Sequence, residues 1–289
     1  MNLKILLRSL SLLIFFSLIL PAHADSPVWK VSKGDDYLYI GGTIHLLGYQ
    51  DYPLPAEFEK IYNKSKMLVL ETDISKAQEL EFQEKMQAIM TYTDGSKLID
   101  HLKPATYKAL EEYLKSTGIP VETFEDLKPS MLSMTLTIME LRKLGITGAG
   151  VDAFYNQKAV DDHKIIGKLE TLDQQLKFIE KLGADDPDEF MLYTLREMKN
   201  LASTFNNMKQ AWRNGNMEKL AEIGITPLKE FPGTYQMILV DRNNAWVPQI
   251  EAMLKTKDIE MILVGALHLA GKDSVLNQLK ALGYKIEQF

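Results

Sequence analysis

Apolar residues in this chain fall into two patterns that alternate along its length: short unbroken runs, and spacings of three and four. Runs over Val28–Val31, Tyr37–Gly41, Met67–Leu70, Lys164–Leu169, Met261–Val264 and Tyr284–Glu287 predict strands. Helical spacing predicts helices over Pro55–Lys64, Glu79–Met90, Ala105–Ser116, Pro129–Leu144, Val151–Asp162, Gln174–Leu182, Pro187–Trp212, Tyr235–Leu254 and Ser274–Leu282, with Pro248 a kink or boundary in the eighth. Strand candidates stand at the start, middle and end of the chain. They predict an α/β (mixed α+β) fold: a central, partly parallel sheet built from both ends of the chain and flanked by helices, with a helical insertion over about 75–162. No tandem repeat or linker divides residues 25–289, so they read as one domain.

The first residues have a different pattern. Lys4 and Arg8 precede a nearly continuous apolar stretch from Leu10 to Leu20, then Pro21 and the small-x-small triplet Ala22-His23-Ala24. This is the form of a secretory signal peptide cut after Ala24, and the stretch is short for a membrane span. The expectation is a periplasmic or secreted protein starting at Asp25, with no stable membrane insertion after cleavage.

Composition narrows the chemistry. The chain has no cysteine, which excludes disulfides, thiolate catalysis and sulfur-ligated zinc. Its net charge of −6 argues against nucleic acid as a partner. Neither a Gly-x-Ser-x-Gly elbow nor His-Glu-x-x-His is present. Gly148-x-Gly150 lacks a dinucleotide fingerprint and reads as a turn opening a helix.

Two apolar runs end alike. YLYIGGTIH stops at His45 and EMILVGALH at His268, each with a glycine three residues before the histidine. Two more runs end in Glu71 and Glu170. In an open α/β sheet, ligands bind beyond the carboxyl ends of the strands. Parallel strands would therefore bring two imidazoles and two carboxylates to one crevice. That set can bind a divalent metal through N and O atoms, or act without metal as an acid/base pair. Asp73 and Asp173 are better placed to cap the following helices, which leaves the glutamates free. Arg242, one turn before Trp246, could clamp a carboxylate or an oxyanion, or pair with Asp241 or Glu251. His101 and His163 close no strand and read as surface residues.

These residues resemble the TraB/PrgY/GumN family, bacterial relatives of the TIKI metalloproteases. The resemblance runs through Val28-Trp29-Lys30-Val31, Tyr39 to His45, Tyr52-Pro53-Leu54-Pro55, Leu68 to Glu71, Gly150-Val151-Asp152, Leu169-Glu170-Thr171, Arg242 to Trp246, Val264 to Gly271 and Leu282-Gly283-Tyr284. Leu267 stands where a smaller residue is expected. The resemblance implies a fold similar to erythromycin-esterase and ChaN-like proteins. It also implies a site of His45, Glu71, Arg242 and His268; Glu170, from its own place at a strand end, is expected to be an outer partner that fixes an imidazole tautomer. TIKI proteins are divalent-metal-dependent proteases that trim a secreted signalling protein. The resemblance therefore implies a peptide or protein substrate, with Mn, Co or Zn held by His45, Glu71 and His268. Two function classes follow: a metal-dependent hydrolase, and a binding protein that sequesters a peptide in the same pocket without turnover.

Overall fold

The structure, a computed structural model, describes residues 26–289. The leader expected over residues 1–24, with its cut after Ala24, lies outside the described residues.

A six-stranded sheet organises the chain, with strands β1 Val28–Lys33, β2 Asp36–Thr43, β4 Met67–Leu70, β6 Ile165–Lys168, β7 Glu260–Gly265 and β8 Lys285–Gln288 in the order β6-β4-β7-β2-β1-β8. The neighbours β6, β4, β7 and β2 are parallel, and β1 is antiparallel to both β2 and β8. Strand β7, near the C-terminus, lies between β2 and β4 from the N-terminal part, so the sheet is assembled from both ends of the chain. A separate two-stranded pair joins β3 Leu46–Leu47 to β5 Gly148–Ala149.

The central strands read as continuous apolar runs because both faces are covered. Side chains alternate between the faces. Leu68, Leu70, Met261 and Leu263 pack toward Phe58, Ile61, Val151, Tyr155 and Trp212, from helices Ala56–Lys64, Val151–Asp161 and Leu201–Arg213. Val69, Ile262 and Val264 pack on the other face toward Trp246, Ile250, Val275 and Leu279, from helices Asp241–Met253 and Val275–Ala281. A third cluster joins Leu110 and Leu114, Leu132 and Leu136, and Met191 and Leu195, from helices Pro104–Thr117, Pro129–Lys143 and Pro187–Met198.

Three local expectations change. The helix expected over Pro187–Trp212 is two helices, Pro187–Met198 and Leu201–Arg213. Asn200 breaks it with φ −114° and ψ 3°, and neither glycine nor proline marks the place. Thr171, not Asp173, caps the helix Leu172–Lys181: its hydroxyl accepts from Gln174 N–H, and the Gln174 side chain accepts from Thr171 N–H. Asp173 turns outward to Lys85 at 2.9 Å. Pro248 does not end its helix. The helix Asp241–Met253 runs through it, at the cost of the one backbone bond that a residue with an N–H would give to the Asn244 carbonyl.

Candidate active site

The carboxyl ends of the four parallel strands lie on one edge of the sheet. They deliver His45 just after β2, Glu71 just after β4, Glu170 two residues after β6, and His268 in the turn Ala266–Leu269 after β7. Arg242 reaches the same place from the helix Asp241–Met253. All five residues singled out in the sequence meet here.

Arg242 is the hub. Its Nη2 donates to Glu71 Oε2 and, at 2.6 Å, to Glu170 Oε1. Its Nε donates to Glu170 Oε2 at 3.2 Å. Its Nη1 donates to the Ile238 carbonyl at 3.4 Å and faces His268 Nε2 at 3.1 Å. A guanidinium has five N–H donors, and every one is used. The group also lies over the Trp246 ring, 4.7 Å from its centroid. Arg242 thus clamps the protein's own carboxylates and keeps no donor for a bound oxyanion. Gln175 Nε2 and Trp246 Nε1 complete the shell of Glu170, at 2.8 and 3.2 Å.

Glu71 receives Arg242 on one oxygen and the Gly265 N–H, at 2.6 Å, on the other. Burial alone would raise its carboxyl. Its cationic neighbours and the Gly265 N–H outweigh this and hold it down at about 2. Of those neighbours His268 is neutral at pH 7, so Arg242 carries most of the effect there. His268 is fully enclosed, and burial depresses its imidazole to about 3. Its tautomer is fixed from outside. Asn243 Nδ2 donates to the Asp273 carbonyl at 2.9 Å, so Asn243 Oδ1, 2.6 Å from Nδ1, accepts the His268 proton.

His45 is different. It sits at the mouth, with its side chain 61 % exposed. Its Nδ1 is 3.0 Å from Asp152 Oδ2, which leaves Nε2 toward the crevice. Crowding by protein would lower the ring. The hydrogen bond and charge of Asp152, with the charge of Glu71, outweigh it and raise the imidazole to about 9. Asp152 comes from the first turn of helix Val151–Asp161, brought in by the β3–β5 pair and by Gly150, whose missing side chain lets the two backbones meet.

The crevice has two lobes that share Thr43, His45 and Glu71. One, of about 280 Å³, is walled by apolar residues including Ile44, Leu228, Ile238 and Leu267. The other, of about 200 Å³, is more polar, and Thr72, Asp152 and Gln175 line it. Thr43 Oγ1, Thr72 Oγ1 and Asp152 Oδ1 are buried beside it without a hydrogen-bond partner among the described residues. Polar atoms so placed suit a bound polar group or water.

A family model for the TraB/PrgY/gumN proteins matches residues 27–288. The chain belongs to the TraB/PrgY/gumN family. It is similar to the uncharacterized protein YbaP of Escherichia coli (strain K12), 23% identical over 252 residues that cover 86% of this chain and 89% of YbaP. YbaP of Shigella flexneri is similar to the same extent. No solved structure matches the chain.

In this TraB-family member, the metal implied by the resemblance meets a divided answer. The donor chemistry is suitable, because an outer partner holds Nδ1 of each imidazole and leaves Nε2 inward. The arrangement does not fit an ion. Arg242 occupies Glu71 Oε2 and His268 Nε2, Gly265 occupies Glu71 Oε1, and only His45 Nε2 is uncommitted. Among the described residues, no group of three His, Asp or Glu side chains stands ready to hold a metal. Sequence reasoning missed Asp152 and Asn243 as site residues. Both lie inside stretches that carry the family resemblance, beside Gly150 and Arg242, and that was their available signal.

Proposed function

We propose that this chain is a hydrolase that cuts an amide bond in an extended peptide, with His45 handling the proton. The supporting observation is the His45–Asp152 pair. An imidazole oriented by a carboxylate presents its free nitrogen where an apolar lobe and a polar lobe meet. A peptide lying across His45 would place one side chain in the apolar lobe. A water in the polar lobe would lie among Thr72, Asp152 and Gln175, beside His45. In molecules whose His45 ring is neutral, a fraction that grows as pH approaches about 9, Nε2 takes the proton as this water adds to the carbonyl carbon, and Asp152 stabilises the imidazolium that forms. The same nitrogen then returns the proton to the departing amine. Glu71, Glu170, Arg242 and His268 form the rigid floor beneath. In this reading the enzyme works outside the cytoplasm, after loss of residues 1–24.

The metal-dependent form of this reading requires Arg242 to leave Glu71 and His268 before an ion can use them. One experiment addresses both forms. A broad peptide library is incubated with the protein purified from residue 25 onward, in EDTA and in Mn²⁺, Co²⁺ or Zn²⁺, with His45→Ala and Asp152→Asn alongside. Cleavage in EDTA that His45→Ala abolishes and Asp152→Asn lowers at its plateau supports the His45–Asp152 mechanism. Cleavage only with added metal favours the metal form. Tight binding of a peptide with no cleavage under any condition would sink the hydrolase and leave the sequestering role.

A further inference from the structure

We infer that Leu267, backed by Gly224, selects the substrate side chain that enters the apolar lobe, and that it admits an aliphatic side chain over an aromatic one. The inference rests on the hydrolase reading and names the substrate class of that same site.

The lobe's wall is aliphatic: Ile44, Met208, Leu228, Ile238, Leu239 and Leu267 contribute to it. Among the described residues, no Phe, Tyr or Trp lines it. Its volume of about 280 Å³ includes the space over Glu71 and His45, where the peptide unit must lie. What remains suits one aliphatic side chain.

Leu267 lies in the turn Ala266–Leu269, immediately before His268, so its position is tied to the floor of the site. Behind it runs the π-helical turn Ala221–Ile225. Gly224 of that turn meets Leu267 so closely that a Cβ on residue 224 would stand 2.7 Å from Leu267 Cδ2 and 2.9 Å from Cδ1. Leu267 is therefore held between a backbone that cannot yield and a lobe that is open. Gly224 is the reason a residue as large as leucine fits in the second Gly-x-x-His motif. A second π-helical turn, Gln236–Val240, supplies Ile238 and Leu239 to the facing wall. Single π-helical turns within helices recur at functional sites.

Two substitutions push the lobe in opposite directions. Leu267→Ala deepens it. Gly224→Ala has only one soft neighbour to displace, the Leu267 side chain, which must lean into the lobe and shorten it. One methylene in an apolar pocket is worth roughly tenfold or more in kcat/KM.

The test uses a series of fluorogenic peptides that differ at one position next to the cleaved bond, carrying Ala, Val, Leu, Phe or Trp. Matching uncleavable peptides are read by fluorescence anisotropy. The native protein is expected to favour Leu and Val. Leu267→Ala is expected to move the kcat/KM ratio of Phe to Leu upward by about tenfold or more, and Gly224→Ala to move preference toward Ala. If Gly224→Ala does not fold, Leu267→Val and Leu267→Ala decide the question as a graded pair. If the native protein cuts the series and neither folded variant changes the order, the inference is overturned and the hydrolase reading stands; if it binds the series without cutting, the hydrolase reading falls, and an unchanged order of affinities overturns the inference as well. If the native protein neither cuts nor binds any peptide, the hydrolase reading falls and the inference falls with it.

Discussion

Arg242 Nη1 stands 3.1 Å from His268 Nε2, and this contact fixes the charge of the imidazole. A guanidinium can only donate, so Nε2 must offer a lone pair, and the ring proton resides on Nδ1 facing Asn243. His268 is then neutral inside the protein, while Arg242 spends its charge on Glu71 and Glu170. Two carboxylates, one guanidinium and one neutral imidazole form a closed set, and only His45 faces outward with a nitrogen to spare.

Removal of Arg242 is expected to be severe. Arg242→Ala leaves the buried Glu170 and the largely buried Glu71 without their cation, and breaking such a pair costs about 3–5 kcal/mol. Arg242→Lys is expected to recover little, because an ammonium cannot span both carboxylates and His268 with the planar fork. Urea denaturation of the two variants against the native protein measures this. A loss under 1 kcal/mol in Arg242→Ala would mean that the cluster contributes little to folding.

Stability is expected to fall with acid, starting above the usual carboxylate range. His268 has its imidazole depressed from 6.5 to about 3 in the folded chain, and Glu71 its carboxyl from 4.5 to about 2. In both cases the unfolded chain binds the proton first. The stabilisation is therefore complete above pH 6.5, and it declines first through His268 and then, below pH 4.5, through Glu71 as well. The slope is up to about 1.4 kcal/mol per pH unit for each group. Thermal unfolding between pH 7.5 and 3.5 measures it. His268→Gln should flatten the portion between pH 6.5 and 4.5, and an unchanged slope there would remove His268 as the cause.

The strand-end residues were legible because continuous apolar runs mark buried strands, and the next polar residue marks where each strand leaves the sheet. Glu71 and His268 were found that way, and so was the mixed sheet built from both ends. Asp152 was not legible from the pattern. It reaches His45 through the β3–β5 pair, two residues on each side, too short to give a hydrophobic period. The committed donors of Arg242 were hidden for a related reason. Spacing shows that an arginine lies near carboxylates, but only the packed structure counts how many of its hydrogens they consume. Thr171 outcompetes Asp173 as a cap because the Gln174 side chain closes a reciprocal pair with it, a side-chain choice that no periodicity encodes.

Asp152→Asn is expected to lower the His45 imidazole from about 9 back toward 6.5, since it removes both the charge and the ionic hydrogen bond that hold the proton. The ring is raised in the native protein, so its protonated form prevails below about pH 9, and activity as a base should climb as pH approaches that value. The variant's climb should be shifted to lower pH and reach a lower plateau, because nothing then stabilises the imidazolium formed during turnover. An NMR titration of the His45 ring reads the same shift without any substrate. Identical titration midpoints in native protein and variant would break the link between Asp152 and His45.

Gly150→Ala isolates the structural cause of that pairing. Gly150 has φ −80° and ψ −177°, a conformation that alanine adopts freely, so backbone freedom is not what requires glycine here. Space is what requires it. A Cβ at residue 150 would stand 2.2 Å from the Ile44 carbonyl oxygen and 2.3 Å from the His45 carbonyl carbon, both of them backbone atoms. Neither can rotate aside, so the two segments must separate. Separation breaks the hydrogen bond from Val151 N to Ile44 O, 3.1 Å in the native fold, and draws Asp152 away from His45. Overpacking of this kind costs about 1–3 kcal/mol, which leaves most of the molecule folded. The variant is therefore expected to keep its circular dichroism spectrum, lose a few degrees of thermal stability, and show the lowered His45 titration of Asp152→Asn although Asp152 is intact. Retention of the native midpoint near 9 in a folded Gly150→Ala protein would show that the pair survives the separation, and that Gly150 does not position Asp152.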